Sequence, residues 1–229
     1  MKAEELVART AQHVETLFAG EASGHDWWHI KRVWQNALRI GQQENVDLTV
    51  VQLGALLHDI ADWKFNRGDE EAGPRAAREW LQTHQAPAEL IEKVCQIIRE
   101  VTFKGAGVDT TPSTLEAKVV QDADRLDAIG AIGVGRAFAY GGHKGREMYH
   151  PGQEPRLHAS FEEYKKNQGP TLNHFYEKLF LLKDRFSTTA GRQLAQERHA
   201  FMVQFVQRFL EEWHGEEVPP AAFQLTNTP

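Results

Sequence analysis

The stretch VDLTVVQLGALLHDIAD, residues 46–62, predicts a buried helix that ends in two chemically active side chains. From Val46 to Leu57, apolar residues cover nearly all sides of the helix, which is typical of a helix at the centre of a protein. The chain then runs directly into His58 and Asp59. An ionised aspartate at the end of a buried helix is costly, and the helix dipole also disfavours a negative charge there. A divalent cation would compensate both costs; the alternative is that His58 and Asp59 pair with each other or with an arginine.

A second helix, upstream of this stretch, carries a polar stripe. Residues Ser23–Asp26 have the form of a capping box, which predicts a helix that begins at Gly24. Polar residues then recur along one face at steps of four, three and four: His25, His29, Arg32 and Asn36. A solvated face is the ordinary interpretation of such a stripe. The tryptophans on the remaining sides of the helix need covering, however, and this favours a stripe that faces a site inside the protein.

A third segment, Val119–Asp127, places three aspartates in a helix that also carries the apolar residues Val119, Val120, Ala123 and Leu126. At least one of Asp122, Asp124 and Asp127 must be buried, and a buried carboxylate needs a partner. Periodicity alone does not separate Asp122 from Asp124 as the residue that faces a site.

The composition limits what kind of site the chain can build. Its 229 residues include 26 Lys and Arg against 32 Asp and Glu, which gives a formal charge of −6. This balance argues against nucleic acid as the main partner, because binding to the phosphate backbone uses a basic face. No stretch approaches the roughly 18 apolar residues of a membrane span, and the N-terminus lacks a signal-peptide apolar region, so we expect a cytoplasmic protein. Its one cysteine, Cys95, excludes an intramolecular disulfide and a thiolate zinc cluster, so any metal must be held by imidazole and carboxylate.

Helical spacing extends over almost the whole chain, and no convincing strand pattern is found. Helices are expected at 2–19, 24–43, 47–61, 70–84, 87–102, 114–140, 170–184 and 188–214. We therefore predict an all-α protein with a single domain, residues 1–214, followed by a flexible tail at 215–229. The domain would comprise a core at about 20–140 and a helical appendage at about 141–214. The last helix has one apolar stripe that carries a single arginine, Arg198.

In this order, the three polar segments form the pattern H…HD…D. They read WHIKRV around His29, GALLHDIAD around His58 and Asp59, and VVQDADRLDAIGAIG around Asp124. With this pattern the chain resembles the HD superfamily of metal-dependent phosphohydrolases, and over nearly its whole length it resembles the bacterial YedJ-type HD hydrolases. The resemblance implies an all-α fold with a five-helix metal-binding core, and it implies that Asp124, directly before Arg125, is the metal-binding aspartate.

The resemblance also implies a set of site residues. The metal ligands would be His29, His58, Asp59 and Asp124. Two imidazoles and two carboxylates favour one divalent ion, with Mn²⁺ as first choice and Mg²⁺, Fe²⁺, Co²⁺ or Ni²⁺ as alternatives. Asp62, one helical turn after Asp59, would be the catalytic acid or base for the attacking water. Substrate contacts are expected from five further residues: His25, Arg32, Lys64, Asp127 and Arg136.

Several of these residues have alternatives. Asp62 could be a carboxylate at the end of the helix that faces solvent. Arg32, Lys64 and Arg136 could each form a surface salt bridge instead of a phosphate contact. Asp127 could orient a ligand histidine instead of touching the substrate. Arg136 lies three turns beyond Asp124, so on one continuous helix it would have to reach the site from the far end.

The expected function is metal-dependent hydrolysis of a nucleotide, with a nucleoside triphosphate pyrophosphohydrolase as the first choice. Other possibilities are a nucleoside monophosphate phosphatase and a non-catalytic module that binds metal and nucleotide. A di-iron oxygenase, which the HD fold also hosts, would need further histidine ligands near the core, and the first 130 residues offer none at suitable spacing. We expect a small-molecule substrate, no nucleic-acid or membrane partner, and a monomer or weak homodimer.

Overall fold

The computed structural model describes residues 2–20, 26–61, 69–101, 111–156 and 169–215. Within these ranges the chain forms helices and no strand, which confirms the all-α prediction. In chain order the helices are α1 (Ala3–Leu17), α2 (Trp27–Gly41), α3 (Leu48–Leu57), α4 (Ala72–Thr83), α5 (Ala88–Val101), α6 (Leu115–Asp127), α7 (Gly130–His143), α8 (Asn173–Glu177) and α9 (Thr189–His214), with a 3₁₀-helix at Leu179–Arg185 between the last two. None of the described helices is long and apolar enough to cross a membrane.

Helix α3 lies at the centre of the fold, as its apolar sequence predicts. Its apolar side chains from Val50 to Leu57 are at most 2% exposed, and it packs against α1, α2, α5 and α6. The carboxylate of Asp47 caps its first turn by accepting hydrogen bonds from the backbone N–H groups of Thr49 and Val50. The helix is therefore held both at its start and along its sides, and this fixes the position of His58 and Asp59, which directly follow its last residue.

Helix α2 begins at Trp27, not at the predicted Gly24. Asp26 is the N-cap residue, and its carboxylate accepts a hydrogen bond of 2.8 Å from the backbone N–H of His29. Asp26 thus satisfies one of the unpaired N–H groups at the helix start. The helix packs lengthwise on α6, which places its polar stripe opposite the aspartates of that helix.

The predicted helix 114–140 is two helices with a sharp turn between them. Helix α6 ends at Asp127, Ile129 is extended, and Gly130 opens α7 with a φ of +77°. That φ favours glycine. A Cβ at Gly130 would also lie 2.9 Å from Cγ of Arg198, which packs on the turn from α9. The positive φ and the nearby stem of Arg198 both favour glycine at this position, where local periodicity alone predicts that the helix continues.

The C-terminal helices share a hydrophobic core with α2, α3 and α6. Aromatic rings from α7, α8 and α9 meet within it, with Phe138, Phe175 and Phe205 about 6 Å apart between ring centroids. The predicted helix 170–184 is replaced by the five residues of α8 and the 3₁₀-helix. The division into a core and an appendage stays a prediction, and nearly all of the tail predicted at 215–229 lies outside the described residues.

Candidate metal centre

Four side chains predicted as ligands converge between α2, the end of α3 and α6. Nε2 of His29 lies 3.5 Å from both Oδ2 of Asp59 and Oδ1 of Asp124. Nε2 of His58 lies 3.5 Å from Oδ2 of Asp59 and 4.0 Å from Oδ1 of Asp124. The ligand atoms of His29, His58 and Asp59 all lie within 4.8 Å of one another. Atoms bonded at about 2.1 Å to a single ion are separated by roughly 3–4 Å, so the spacing suits one cation.

Both histidines are held in the tautomer that can bind a metal. Nδ1 of His58 lies 2.7 Å from the carbonyl oxygen of Ala55, which accepts a hydrogen bond and cannot donate one. Nδ1 must therefore carry the proton, and neutral His58 presents the lone pair of Nε2 towards the carboxylates. This Nε2 is buried and makes no hydrogen bond within the described part of the chain. A buried nitrogen lone pair between two carboxylates is otherwise unfavourable, and a divalent cation removes that difficulty.

Asp127 orients the second histidine, His29, by contacting the ring nitrogen that faces away from the other ligands. Its Oδ2 lies 2.7 Å from Nδ1 of His29, so neutral His29 also turns the lone pair of Nε2 towards the centre. The Asp127 side chain is 1% exposed, whereas those of its two arginine partners are about one third exposed. Nε and Nη2 of Arg32 donate to it at 2.6 and 3.0 Å. Nη1 of Arg136 donates at 2.6 Å. One buried carboxylate thus orients a histidine and holds two partly exposed guanidinium groups beside the centre.

The break between α6 and α7 explains how Arg136 reaches this position. On a continuous helix, Arg136 would lie three turns away from Asp124. Because the helix is interrupted at Ala128–Gly130, α7 begins as a separate helix and Arg136 contacts Asp127 directly. The expectation that Arg136 must approach from the far end of a single helix is therefore wrong.

The charges of the centre are strongly coupled. Burial lowers the pKa of His29, but the hydrogen bonds to Asp127 and Asp59 and the charge of Asp124 outweigh burial and raise it to about 9. Burial likewise raises the pKa of Asp127, yet its contacts with His29, Arg32 and Arg136 hold the pKa below the ordinary value. Without a metal, His29 is therefore protonated at neutral pH, and a cation must displace that proton in order to bind.

The three aspartates of α6 have three different environments. Asp122 is fully buried on the side away from the centre. It accepts hydrogen bonds from the backbone N–H groups of Ser187 and Thr188 at 2.7–3.1 Å and from the Thr188 hydroxyl at 2.7 Å. Asp124 faces the two histidines, and Asp127 lies behind one of them. Tertiary contacts therefore separate Asp122 from Asp124, which periodicity could not do.

Three of the predicted site residues lie in segments that the structure does not describe, and Arg198 lies beside the centre without having been predicted as a site residue. His25, Asp62 and Lys64 lie outside the described residues. Arg198 was not among the expected site residues, although it donates from α9 to the carbonyl oxygen of Leu126, next to Asp127. The signal that could have found it is its place as the single arginine on the apolar stripe of the last helix.

Comparison with known proteins identifies the family. A family model described as HD domain matches residues 27–129, a span that contains His29, His58, Asp59 and Asp124. A solved HD-superfamily hydrolase from Bacillus thuringiensis superposes with a TM-score of 0.76 at 39% identity, covering 94% of this chain and 100% of that one. The chain belongs to the HD superfamily. The predicted enzyme class, a metal-dependent phosphohydrolase of this superfamily, is thereby confirmed, whereas the narrower YedJ-type subgroup stays a prediction.

A second relative is the protein YpgQ of Bacillus subtilis. It is 37% identical over 203 residues, which cover 88% of this chain and 91% of YpgQ. The structure of YpgQ in complex with ADP superposes with a TM-score of 0.72 at 34% identity, covering 96% of this chain and 98% of YpgQ. HD domains bind divalent metals, and this member carries a matching cluster of histidine and aspartate.

Proposed function

We propose that this HD-superfamily protein is a nucleoside triphosphate pyrophosphohydrolase that uses one divalent ion, with Mn²⁺ as the first choice. The proposed ligands are His29, His58, Asp59 and Asp124. The observation that carries the proposal is the pair of arginines, Arg32 and Arg136, held beside these four residues by one buried carboxylate.

The charge balance of the centre supports a polyphosphate substrate. A divalent ion would offset the two carboxylates of Asp59 and Asp124. Arg32 and Arg136 share the carboxylate of Asp127, whose single negative charge balances only one of the two guanidinium charges, and the charge of Asp26 also acts on Arg32. Arginine binds phosphate oxygens in a planar, two-pronged geometry. A substrate with several phosphate groups could contact the ion through one of them and the arginines through another.

The chain's own residues would supply positioning and proton transfer. When bound, a divalent cation would lower the pKa of a water molecule and neutralise charge that develops on the phosphoryl group. Arg32 and Arg136 would hold the leaving pyrophosphate and stabilise its charge as the bond between the α-phosphorus and its bridging oxygen breaks. Asp62, three residues after Asp59, is the proposed acid or base for the attacking water. His25 and Lys64 are further proposed substrate contacts.

The relatives are compatible with a nucleotide substrate. YpgQ has been solved in complex with ADP, a nucleotide with two phosphate groups. We extend nucleotide binding to this chain as part of the proposal. A small nucleotide rather than a nucleic acid, a cytoplasmic location, and a monomer or weak homodimer are retained as expectations.

A screen of metals against nucleotides tests the proposal. The protein, stripped of metal, would be supplied with Mn²⁺, Mg²⁺, Co²⁺ or Ni²⁺ and given nucleoside mono-, di- or triphosphates, with phosphate and pyrophosphate measured separately. We expect pyrophosphate and a monophosphate from triphosphates. Orthophosphate from monophosphates alone would replace the proposal with a phosphatase of the same superfamily. Inactivity with every metal, together with retained nucleotide binding, would replace it with a sensor module.

The role of the arginines is tested by a matched pair of variants on α2. Arg32→Met removes a guanidinium that contacts Asp127, whereas Arg39→Met removes an exposed guanidinium from the last turn of the same helix. We expect Arg32→Met to raise the KM for a nucleoside triphosphate at least tenfold and Arg39→Met to leave it within twofold. Equal KM values for the two variants would contradict a substrate role for Arg32.

A further inference from the structure

Arg198 connects the C-terminal helix to the rear of the metal centre. Its Nη1 donates a hydrogen bond to the carbonyl oxygen of Leu126 in the last turn of α6. Its Nη2 donates to Oδ1 of Asn36 at 3.1 Å, on α2. Its aliphatic stem packs against the first residue of α7, since a Cβ on Gly130 would lie 2.9–3.1 Å from three of its carbon atoms. One side chain therefore contacts three helices at the turn between α6 and α7.

The position of Arg198 is costly for a guanidinium. It lies on the apolar face of α9, whose neighbouring positions Leu194, Ala195 and Met202 are buried in the core. Burial lowers the pKa of Arg198, against the raising effect of the Asp127 charge. An apolar side chain would fill this place without that cost. The hydrogen bonds to Leu126 and Asn36 offset part of this desolvation cost. Together with the contact at Gly130, they hold α2, α6 and α7 in place against α9.

Each of the three contacts lies close to Asp127 or to one of the two arginines that it holds, Arg32 and Arg136, which are the proposed phosphate contacts. Leu126 directly precedes Asp127, and Asn36 lies one turn after Arg32 on the same face of α2. Gly130 is the first residue of α7, the helix that carries Arg136 to its contact with Asp127. Movement of the α6–α7 turn would therefore shift Arg136 relative to Arg32. Three of the four proposed ligands, His29, His58 and Asp59, belong to other segments, and the fourth, Asp124, lies inside α6.

We propose that Arg198 is a positioning residue that sets the spacing of Arg32 and Arg136 and thereby the preference of the site for a chain of phosphates over a single one. The inference rests on the proposed function and extends it. Both Arg136 and Arg198 lie outside residues 27–129, the span of the HD domain match. In this proposal, Arg136 on α7 is a phosphate contact beside the metal centre, and Arg198 on α9 sets its distance from Arg32.

The expected effect is one of geometry. Arginine binds phosphate oxygens in a fixed, two-pronged geometry, so a guanidinium that is displaced from its place loses part of these contacts. Loss of Arg198 should therefore weaken binding of a ligand that spans both arginines more than binding of a ligand that reaches only the metal. Metal affinity itself should change little, because Asp127 keeps its contacts with His29 and Arg32.

The test uses the Mn²⁺-loaded protein and two probes, inorganic pyrophosphate and orthophosphate, with affinities measured by calorimetry. Arg198→Met keeps much of the stem and removes both hydrogen bonds. Arg192→Met is the matched control, because Arg192 lies on the same helix and also donates to backbone carbonyls, those of Phe186 and Ser187, away from the centre. Arg198→Lys keeps the charge and one donor, and serves as the conservative variant if Arg198→Met does not fold.

We expect Arg198→Met to weaken pyrophosphate binding at least tenfold while orthophosphate and Mn²⁺ binding change less than threefold. Arg198→Lys should fall between wild type and Arg198→Met, and Arg192→Met should leave the ratio of the two phosphate affinities unchanged. An unchanged ratio in Arg198→Met, or in Arg198→Lys where the first variant does not fold, overturns the proposal. Failure of the wild type to prefer pyrophosphate also overturns it. Failure of the proposed function is a separate result, since it would appear as absent triphosphate turnover by wild type.

Discussion

Replacement of Asp127 by asparagine tests whether one buried carboxylate organises the centre. The change keeps the size of the side chain and removes its charge. Asp127 accepts bonds from Nδ1 of His29, from Nε and Nη2 of Arg32 and from Nη1 of Arg136. An asparagine offers one acceptor oxygen, and its amino group would face donors. At least one of these three partners must therefore lose its bond.

Two magnitudes follow for Asp127→Asn. Loss of a carboxylate that orients a ligand histidine typically lowers metal affinity about 10- to 100-fold, which corresponds to about 1.4–2.8 kcal/mol. Removal of one partner from a buried ion pair costs about 3–5 kcal/mol of stability. The loss here should lie at the lower end of that range, because both arginines are about one third exposed and can turn towards water.

Asp122→Asn is the matched control. Asp122 lies on the same helix, is equally buried and receives the same chemical change, but it contacts Ser187 and Thr188 at the start of α9. Mn²⁺ affinity would be measured at pH 7 by electron paramagnetic resonance of the free ion, and unfolding by circular dichroism in the presence of a chelator. We expect both variants to lose stability and only Asp127→Asn to lose metal affinity. The reasoning is refuted if Asp127→Asn binds Mn²⁺ within threefold of wild type, or if Asp122→Asn loses as much affinity.

Four further predictions follow, three from the geometry and charge of the centre and one from the packing of Cys95. Asp59→Asn should reduce Mn²⁺ affinity at least a hundredfold, because the carboxylate of Asp59 lies between His29 and His58. The helical circular-dichroism signal should be kept. Tight Mn²⁺ binding by this variant would show that the ion lies elsewhere. Because the pKa of His29 is raised to about 9, its contribution to the stability of the metal-free protein should be fully present below about pH 6.5 and be lost as the pH rises towards 9. Binding of Mn²⁺ at pH 7 should release about one proton, and apparent affinity should rise nearly tenfold from pH 7 to 8, against about 1.3-fold for an ordinary histidine; calorimetry in buffers of different ionisation enthalpy separates these outcomes. Cys95 is fully buried and burial raises its pKa, so iodoacetamide should label it only after unfolding, and rapid labelling of the native protein would contradict its packing.

Much of the centre could be predicted because its residues lie at the ends or on the faces of strongly patterned helices. The apolar run before His58 indicates a buried helix whatever the rest of the chain does, since few other environments accept such a surface. The polar stripe with His29 and Arg32 indicates one face of a second helix. The order of these segments, followed by Asp124, is what the resemblance to the HD superfamily rests on.

Residue type and local periodicity are enough to predict the fold class, the central helix and the set of imidazole and carboxylate groups that a metal could use. The turn at Gly130, the separate roles of Asp122 and Asp127, and the approach of Arg136 and Arg198 to the centre follow from contacts between helices. Periodicity indicates which face of a helix is apolar, but it does not indicate where along that helix a helix distant in sequence makes contact. The stem of Arg198 against Gly130 is such a contact, and it lies at the turn where α6 has ended and α7 begins.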